Sequence, residues 1–175
     1  MFLKKIANIV FALCIIFINN GIQTEAAPIP KKIPAGIIET SNEFGLWQDI
    51  YNSQQKVVVY SYMSGSTCPY QSQEFHNKIS SAATSSGGKY RARPTGPDKF
   101  EKELNTAIKK LEAQTKKVKT QAEANKINKK IQAFNKLVKF TNQCTIKACI
   151  INPSKGEYIL MNRKSAEAIQ TMKQY

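Results

Sequence analysis

The chain lacks most of what a metal or cofactor site is built from. Its 175 residues include one histidine, His76, and none of its four cysteines stands in a Cys-x-x-Cys pair. Zinc and iron–sulfur centres need several His or Cys ligands at short spacing, so neither a resident metal nor a cofactor is expected. Acidic residues are also scarce: 12 Asp and Glu face 26 Lys and Arg, a formal net charge of +14. Such a chain is drawn to anionic surfaces, whether lipid, envelope polymer or acidic protein. Its basic middle, 98–140, holds no arginine and few aromatics, Phe100 and Phe134 among them, which argues against a base-stacking nucleic-acid platform. The first apolar run, Ile6 to Ile18, spans 13 positions, short of the about 20 that a bilayer-spanning helix requires.

What the start of the chain does have is the layout of an export signal. Lys4 and Lys5 precede the apolar run, and Thr24-Glu25-Ala26 closes a polar region before Ala27. Residues 1–26 are therefore expected to be a signal peptide, and the mature protein periplasmic or secreted. A membrane anchor formed by residues 6–18 is the alternative, and only then would the protein be held in a membrane. Cys14 reads as a small hydrophobe within the run. Removal of the signal leaves Cys68, Cys144 and Cys149, an odd number in an oxidising compartment.

The remaining chain reads as one domain, 41–175, behind a Pro/Lys-rich linker at 27–40 carrying Pro28, Pro30, Pro34, Lys31 and Lys32. Phe44, Trp47, Ile50 and Tyr51 share one face of a helix capped by Ser41 or Asn42, with Trp47 directed to a core. Val57 to Met63 is a continuous apolar, β-branched and aromatic run, expected as a strand buried on both faces. Ser64-Gly65-Ser66-Thr67 reads as a turn, and Cys68-Pro69-Tyr70-Gln71 as the opening of a helix. There Thr67 or Cys68 is the N-cap and Pro69 lies in the first turn. A cysteine at that position faces unpaired N–H groups, which favour thiolate. His76 lies about 12 Å further along at ~1.5 Å per residue and reads as a surface residue.

A Ser/Gly-rich loop and a charged edge strand at 89–93 follow. Residues 98–140 lack proline and glycine and carry twelve lysines against five acids. Their apolar residues recur at helical spacing, which predicts two antiparallel helices with a turn near Asn125, lying outside the core. The end of the chain predicts a strand over 148–151, a turn at 152–156, a strand over 157–161 and a helix over 165–173.

Cys-Pro-Tyr placed between a strand and a helix resembles the active-site segment of the thioredoxin superfamily, where glutaredoxins carry Cys-Pro-Tyr-Cys. The final hairpin and helix resemble the end of that fold, and the lysine-rich helices resemble the helical insertion of periplasmic disulfide oxidases. The resemblance implies an α/β fold: a thioredoxin-like central mixed sheet flanked by helices, with a helical-hairpin insert at 98–140. It implies Cys68 as the attacking thiol, with Pro69, Tyr70, Gln71, Ile146 and Lys147 lining the site. Gln71 stands where the resolving cysteine is expected, and Lys147 where the family has a cis-proline. With a positive charge there, Lys147 would favour a thiolate facing it.

Two mechanisms are then open. Cys68 acts alone and awaits an external thiol, or Cys144 serves as its partner. A local Cys144–Cys149 disulfide is a third arrangement, disfavoured if a continuous strand separates the two; Cys149 then reads as an inert core thiol. The expected partners are protein thiols and disulfides or small thiols. The alternative function is a redox-inactive binding module of the cell envelope, or of a secretion or conjugation apparatus, acting through its basic helices.

Overall fold

A computed structural model describes residues 29–69, 71–161 and 164–175. The expected signal peptide at 1–26, with Cys14, and Tyr70 lie outside the described residues.

The chain alternates short strands and helices around one mixed sheet. In order these are β1 (Lys31–Lys32), α1 (Ile37–Phe44), α2 (Gln48–Tyr51), β2 (Lys56–Ser61), α3 (Gln73–Thr84) and β3 (Tyr90–Thr95). Then come α4 (Pro97–Thr115), α5 (Gln121–Lys147), β4 (Cys149–Asn152), a 3-10 turn (Pro153–Lys155), β5 (Glu157–Leu160) and α6 (Ser165–Gln174). The sheet order is β1-β5-β4-β2-β3. β2 and β3 are parallel, joined through α3, and every other pairing is antiparallel. The fold class is thus mixed α/β, a five-stranded mixed sheet flanked by helices.

β2 is central because its sequence is apolar on both faces. Val57 and Val59 point to one side, into a core with Phe44, Trp47, Ile50, Phe134, Leu137 and Phe140. Val58 and Tyr60 point to the other, into a core with Phe75, Ile79, Ile159, Ala168 and Met172. Helices α1 and α5 cover the first side and α3 packs with α6 over the second. Edge-to-face aromatic pairs fasten the first core: Phe44 on Phe134 at 5.1 Å and Phe140 on Tyr158 at 4.9 Å.

Several sequence expectations need correction. The linker at 27–40 is structured from Lys31 onward. Lys31 pairs with Tyr158 and Lys32 with Glu157, and Lys32 also makes an ion pair to Glu157 at 2.9 Å. Helix α1 starts at Ile37, after Gly36 in the left-handed region, because Ile37 and Phe44 are both buried. The single helix expected around Phe44–Tyr51 is broken by Gly45 (φ 80°) and Trp47 (φ 62°). β2 ends at Ser61 rather than Met63.

The turn between α4 and α5 lies at 116–120, before the expected Asn125. Thr120 caps α5 by accepting from the Glu123 amide, while the Glu123 carboxylate accepts from the Thr120 amide, a reciprocal capping box. Most important, the hairpin is not outside the core. Leu104, Ala107, Phe134, Leu137 and Phe140 of its root are buried against the sheet. Its far end, 108–133, holds no buried residue.

Candidate functional site

The sheet positions the site by ending two adjacent strands at the same edge. β2 runs toward Ser61 while antiparallel β4 begins at Cys149, paired with Val59. The loop after β2 and the turn before β4 therefore leave the sheet side by side. The first carries Cys68; the second is Ala148 alone, with Ile146 and Lys147 in the last turn of α5 before it.

The loop is tied into shape by its own polar groups. The Tyr62 amide donates to the Thr95 carbonyl at 2.9 Å, prolonging the β2–β3 ladder by one bond. The Met63 amide donates to the Gln71 carbonyl at 3.2 Å, which closes the loop at its base. Within it the Ser66 amide reaches the Met63 carbonyl, the Cys68 amide donates to Ser66 Oγ at 3.2 Å, and the Gln71 amide donates to the Cys68 carbonyl at 2.9 Å. Gln71 Nε2 donates to Ser61 Oγ at 3.0 Å, fastening the far side of the loop to the end of β2. Beneath it, Gly96 approaches so closely that a Cβ there would stand 2.9 Å from the Tyr62 carbonyl oxygen.

The helix does not start where the sequence pattern suggested. Ser72 is the N-cap of α3, accepting from the Phe75 amide at 3.2 Å and donating to the Pro69 carbonyl at 2.9 Å. Ser72 competes better for the first orphan amide than Thr67 or Cys68, and the helix begins at Gln73. Pro69 accordingly sits in a turn, not in the first helical turn, and half-buried Cys68 lies upstream of the cap. The helix-terminus argument for thiolate loses its geometry here.

The second correction concerns Cys144. It is joined to Cys149 in a disulfide, Cα–Cα 5.1 Å, and both residues are fully buried. The expected continuous strand between them does not exist. α5 continues to Lys147, and Ala148 adopts φ 57°, which turns the chain so that Cys149 enters β4 beside the last turn of the helix. Cys144 is therefore not the partner of Cys68, and Cys149 is not an inert thiol. Cys68 is the one cysteine among the described residues outside a disulfide. Ile146 is half-buried and Lys147 exposed at the end of α5.

Sequence reasoning missed a polar–aromatic cluster behind the loop. His76 Nδ1 and Tyr60 Oη are 2.9 Å apart, and Tyr60 Oη is 3.2 Å from Ser80 Oγ. The His76 ring stacks on Tyr62 with centroids 4.2 Å apart, and Tyr62 Oη donates to Gln73 Oε1. His76 is thus half-buried between two tyrosines of the β2 segment rather than a surface residue. The signal was present: Ser72, His76 and Ser80 recur every four residues and share one face of α3. Burial pushes the Tyr60 phenol up, with the Ser80 hydrogen bond working against it, so the phenol stays protonated at neutral pH.

A second missed cluster joins β3 to α2 and α4. Buried Arg93 donates to Glu103 Oε1 at 2.7 Å, lies 3.4 Å from Asp49 Oδ1 and places its guanidinium 5.7 Å from the Trp47 ring. It explains how an edge strand with two arginines fits the core: one stays half-exposed on Asp49 and the other is buried with two acids.

Among the described residues, no group of His, Cys, Asp or Glu is arranged to hold a metal ion, and no helix is long and apolar enough to cross a membrane. Comparisons with protein-family models, with curated proteins and with solved structures found no match to this chain.

Proposed function

We propose that this is an exported, thioredoxin-like thiol–disulfide exchange protein in which Cys68 acts without a resolving cysteine of its own. The carrying observation is the placement of Cys68. It lies half-buried in the loop that leaves the central strand β2, between the two parallel strands of a strand–helix–strand unit, with an antiparallel hairpin completing the sheet. This order of elements is the one expected of a thioredoxin-like domain. The Cys144–Cys149 disulfide supports the one-thiol form, because it occupies both other cysteines of the expected mature chain in the core.

In this reading the Cys68 thiolate attacks one sulfur of a mixed disulfide between a protein and a small thiol. A Cys68–S–S–protein bond forms, and the small thiolate leaves with the electron pair of the broken S–S bond. A second small thiolate then attacks the Cys68 sulfur, taking Cys68 into a mixed disulfide with itself and releasing the protein thiolate, which is protonated by water. A third regenerates Cys68 and departs as a small-molecule disulfide. The reductant is the external thiol, and no electrons come from Cys144–Cys149.

The test is exchange between a glutathionylated peptide and free glutathione, with the wild type and Cys68→Ser, each with the core disulfide intact. Catalysed exchange that disappears in Cys68→Ser supports the proposal. A wild type no faster than the uncatalysed reaction overturns it and leaves the binding-module reading. Export is tested separately by N-terminal sequencing of the mature protein, which should begin at Ala27.

A further inference from the structure

We infer that the far end of the α4–α5 hairpin is a docking surface for an anionic phospholipid bilayer. The root of the hairpin is fixed to the sheet by Leu104, Ala107, Phe134 and Leu137. Beyond it, Gln121 at the start of α5 lies 13 positions before Phe134, so the end stands about 20 Å from the buried root at ~1.5 Å per residue.

That end is almost uniformly positive. From 108 to 133 there are eight lysines against two acids, Glu112 and Glu123. Glu123 is consumed by the capping box, accepting from the Lys119 and Thr120 amides. Of the twelve lysines in 98–140, Lys130 alone makes an ion pair among the described residues, to Glu43 at the side of α1. Burial works to raise the Glu43 carboxyl, but the hydrogen bonds from Lys130 and Gln114 outweigh it and leave it lowered; it stays ionised and holds Lys130 to the body of the domain. Lys116, Lys117, Lys119, Lys126 and Lys129 remain exposed at the tip. A protein surface normally interleaves both signs, and concentrating one sign at a protruding end raises self-repulsion that an anionic counterpart relieves.

The residue types select the partner. The hairpin has no arginine, so it lacks the planar fork that grips individual phosphates and base edges. It exposes no large hydrophobic side chain: among the described residues only Ile29 and Met63 are of that kind, and neither is on the hairpin. With no exposed aromatic ring there, stacking on nucleic-acid bases has no platform. Flexible point charges without anchors match a diffuse field of headgroups, giving attraction that is peripheral, reversible and sensitive to salt. The cleft between the helices at this end, with Val118 and Ile127 between Lys117 and Lys126, presents those charges from both helices together.

The experiment is co-sedimentation of the full chain with phosphatidylcholine vesicles made with and without phosphatidylglycerol. The stretch at 6–18 and its flanking Lys4 and Lys5 are the same in wild type and variant, so the difference between the two proteins reads the hairpin alone. Each lysine near an anionic bilayer raises partitioning about five-fold, so Lys117→Ala with Lys119→Ala and Lys126→Ala should lower the phosphatidylglycerol-dependent partitioning about a hundred-fold while the thermal unfolding midpoint holds. The wild-type difference should vanish as the Debye length shrinks from about 30 Å to about 8 Å. Equal binding to both vesicles, retention by the triple variant, or tighter binding to a duplex DNA fragment than to the anionic vesicles would each overturn the inference. It does not depend on Cys68: a chain inactive in exchange can still bind the bilayer, and the reverse.

Discussion

Gln71 Nε2 donates to Ser61 Oγ across 3.0 Å, from the loop to the last residue of β2. The residue standing where a second cysteine is expected is thereby a strut for the loop that holds Cys68. Ser61 is buried, so Gln71→Ala leaves its hydroxyl without this donor and should cost about 1–3 kcal/mol. Gln71→Glu, whose carboxylate can accept from the Ser61 hydroxyl, should recover much of it. Urea unfolding of the three proteins decides, and equal midpoints for wild type and Gln71→Ala would show that the contact contributes nothing.

Gly96 is required by space and not by its dihedral angles, since its φ is −100°. A methyl there meets the Tyr62 carbonyl at 2.9 Å, which forces the backbone of the Cys68 loop to move. Gly96→Ala should cost about 1–3 kcal/mol as overpacking and should change the alkylation rate of Cys68 although the two residues are far apart in sequence. An unchanged rate together with unchanged stability would contradict the close approach.

The pairing of Cys144 with Cys149 has a direct readout, because Lys139, Lys147 and Lys155 bracket the two cysteines. Non-reducing trypsin digestion should release peptide 140–147 linked to peptide 148–155, and iodoacetamide applied to the folded, oxidised protein should label Cys68 alone. Cys144→Ala with Cys149→Ala should lower stability by about 2 kcal/mol through loop entropy. A peptide containing Cys68 linked to either core cysteine would refute the assignment.

The root and the tip of the helical hairpin should differ in their cost of truncation. Leu137 is fully buried, and Leu137→Ala should destabilise by about 2–5 kcal/mol. Ile127, half-buried near the tip, should cost about 1 kcal/mol when cut to alanine. Deleting all of 98–140 should abolish cooperative unfolding, because the sheet loses the cover from Phe134, Leu137 and Phe140.

Alkaline stability should be set by buried tyrosines. Burial pushes Tyr51 upward, and Tyr90 up to about 12, where nearby Tyr175 adds to the effect of burial. The folded protein holds these protons to higher pH than the unfolded chain, in which tyrosine titrates near ~10. Their stabilisation is complete below that value and lost as pH climbs through the folded values. The Tyr51 hydroxyl is buried without a hydrogen-bond partner, so Tyr51→Phe should leave neutral-pH stability equal or better and move alkaline unfolding upward. Thermal midpoints measured across the alkaline range read this, and a lower alkaline midpoint in Tyr51→Phe would contradict it.

Periodicity made the repetitive parts of this chain legible. The double-faced apolar run gave β2, the charged stretch after the Ser/Gly loop gave an edge strand, and the long run without Pro or Gly gave two helices. What stayed hidden depends on contacts distant in sequence. Lys31 and Lys32 have no strand character of their own and become one only because β5 offers an unpaired edge. His76 reads as a surface residue until Tyr60 and Tyr62 arrive beside it. Thr67 and Cys68 read as N-caps until the loop closes through the Met63 amide on the Gln71 carbonyl, which leaves Ser72 to cap the helix. Ala148 carries no glycine to announce a positive φ, so the chain reversal that joins the two core cysteines could not be read from spacing.

That reversal also governs how the strands find one another. Along β4, Cys149 and Ile151 face α5, while Ile150 faces the opposite core. A slip of one residue against β2 would turn Cys149 to the wrong side of the sheet, away from Cys144 on the helix. In the observed register Val59 lies opposite Cys149, and the bond to Cys144 holds that residue on the α5 side. The bond thus does more than close a short loop: it fixes which face of β4 meets the helix, and with it the alternation of the strand at the centre of the sheet.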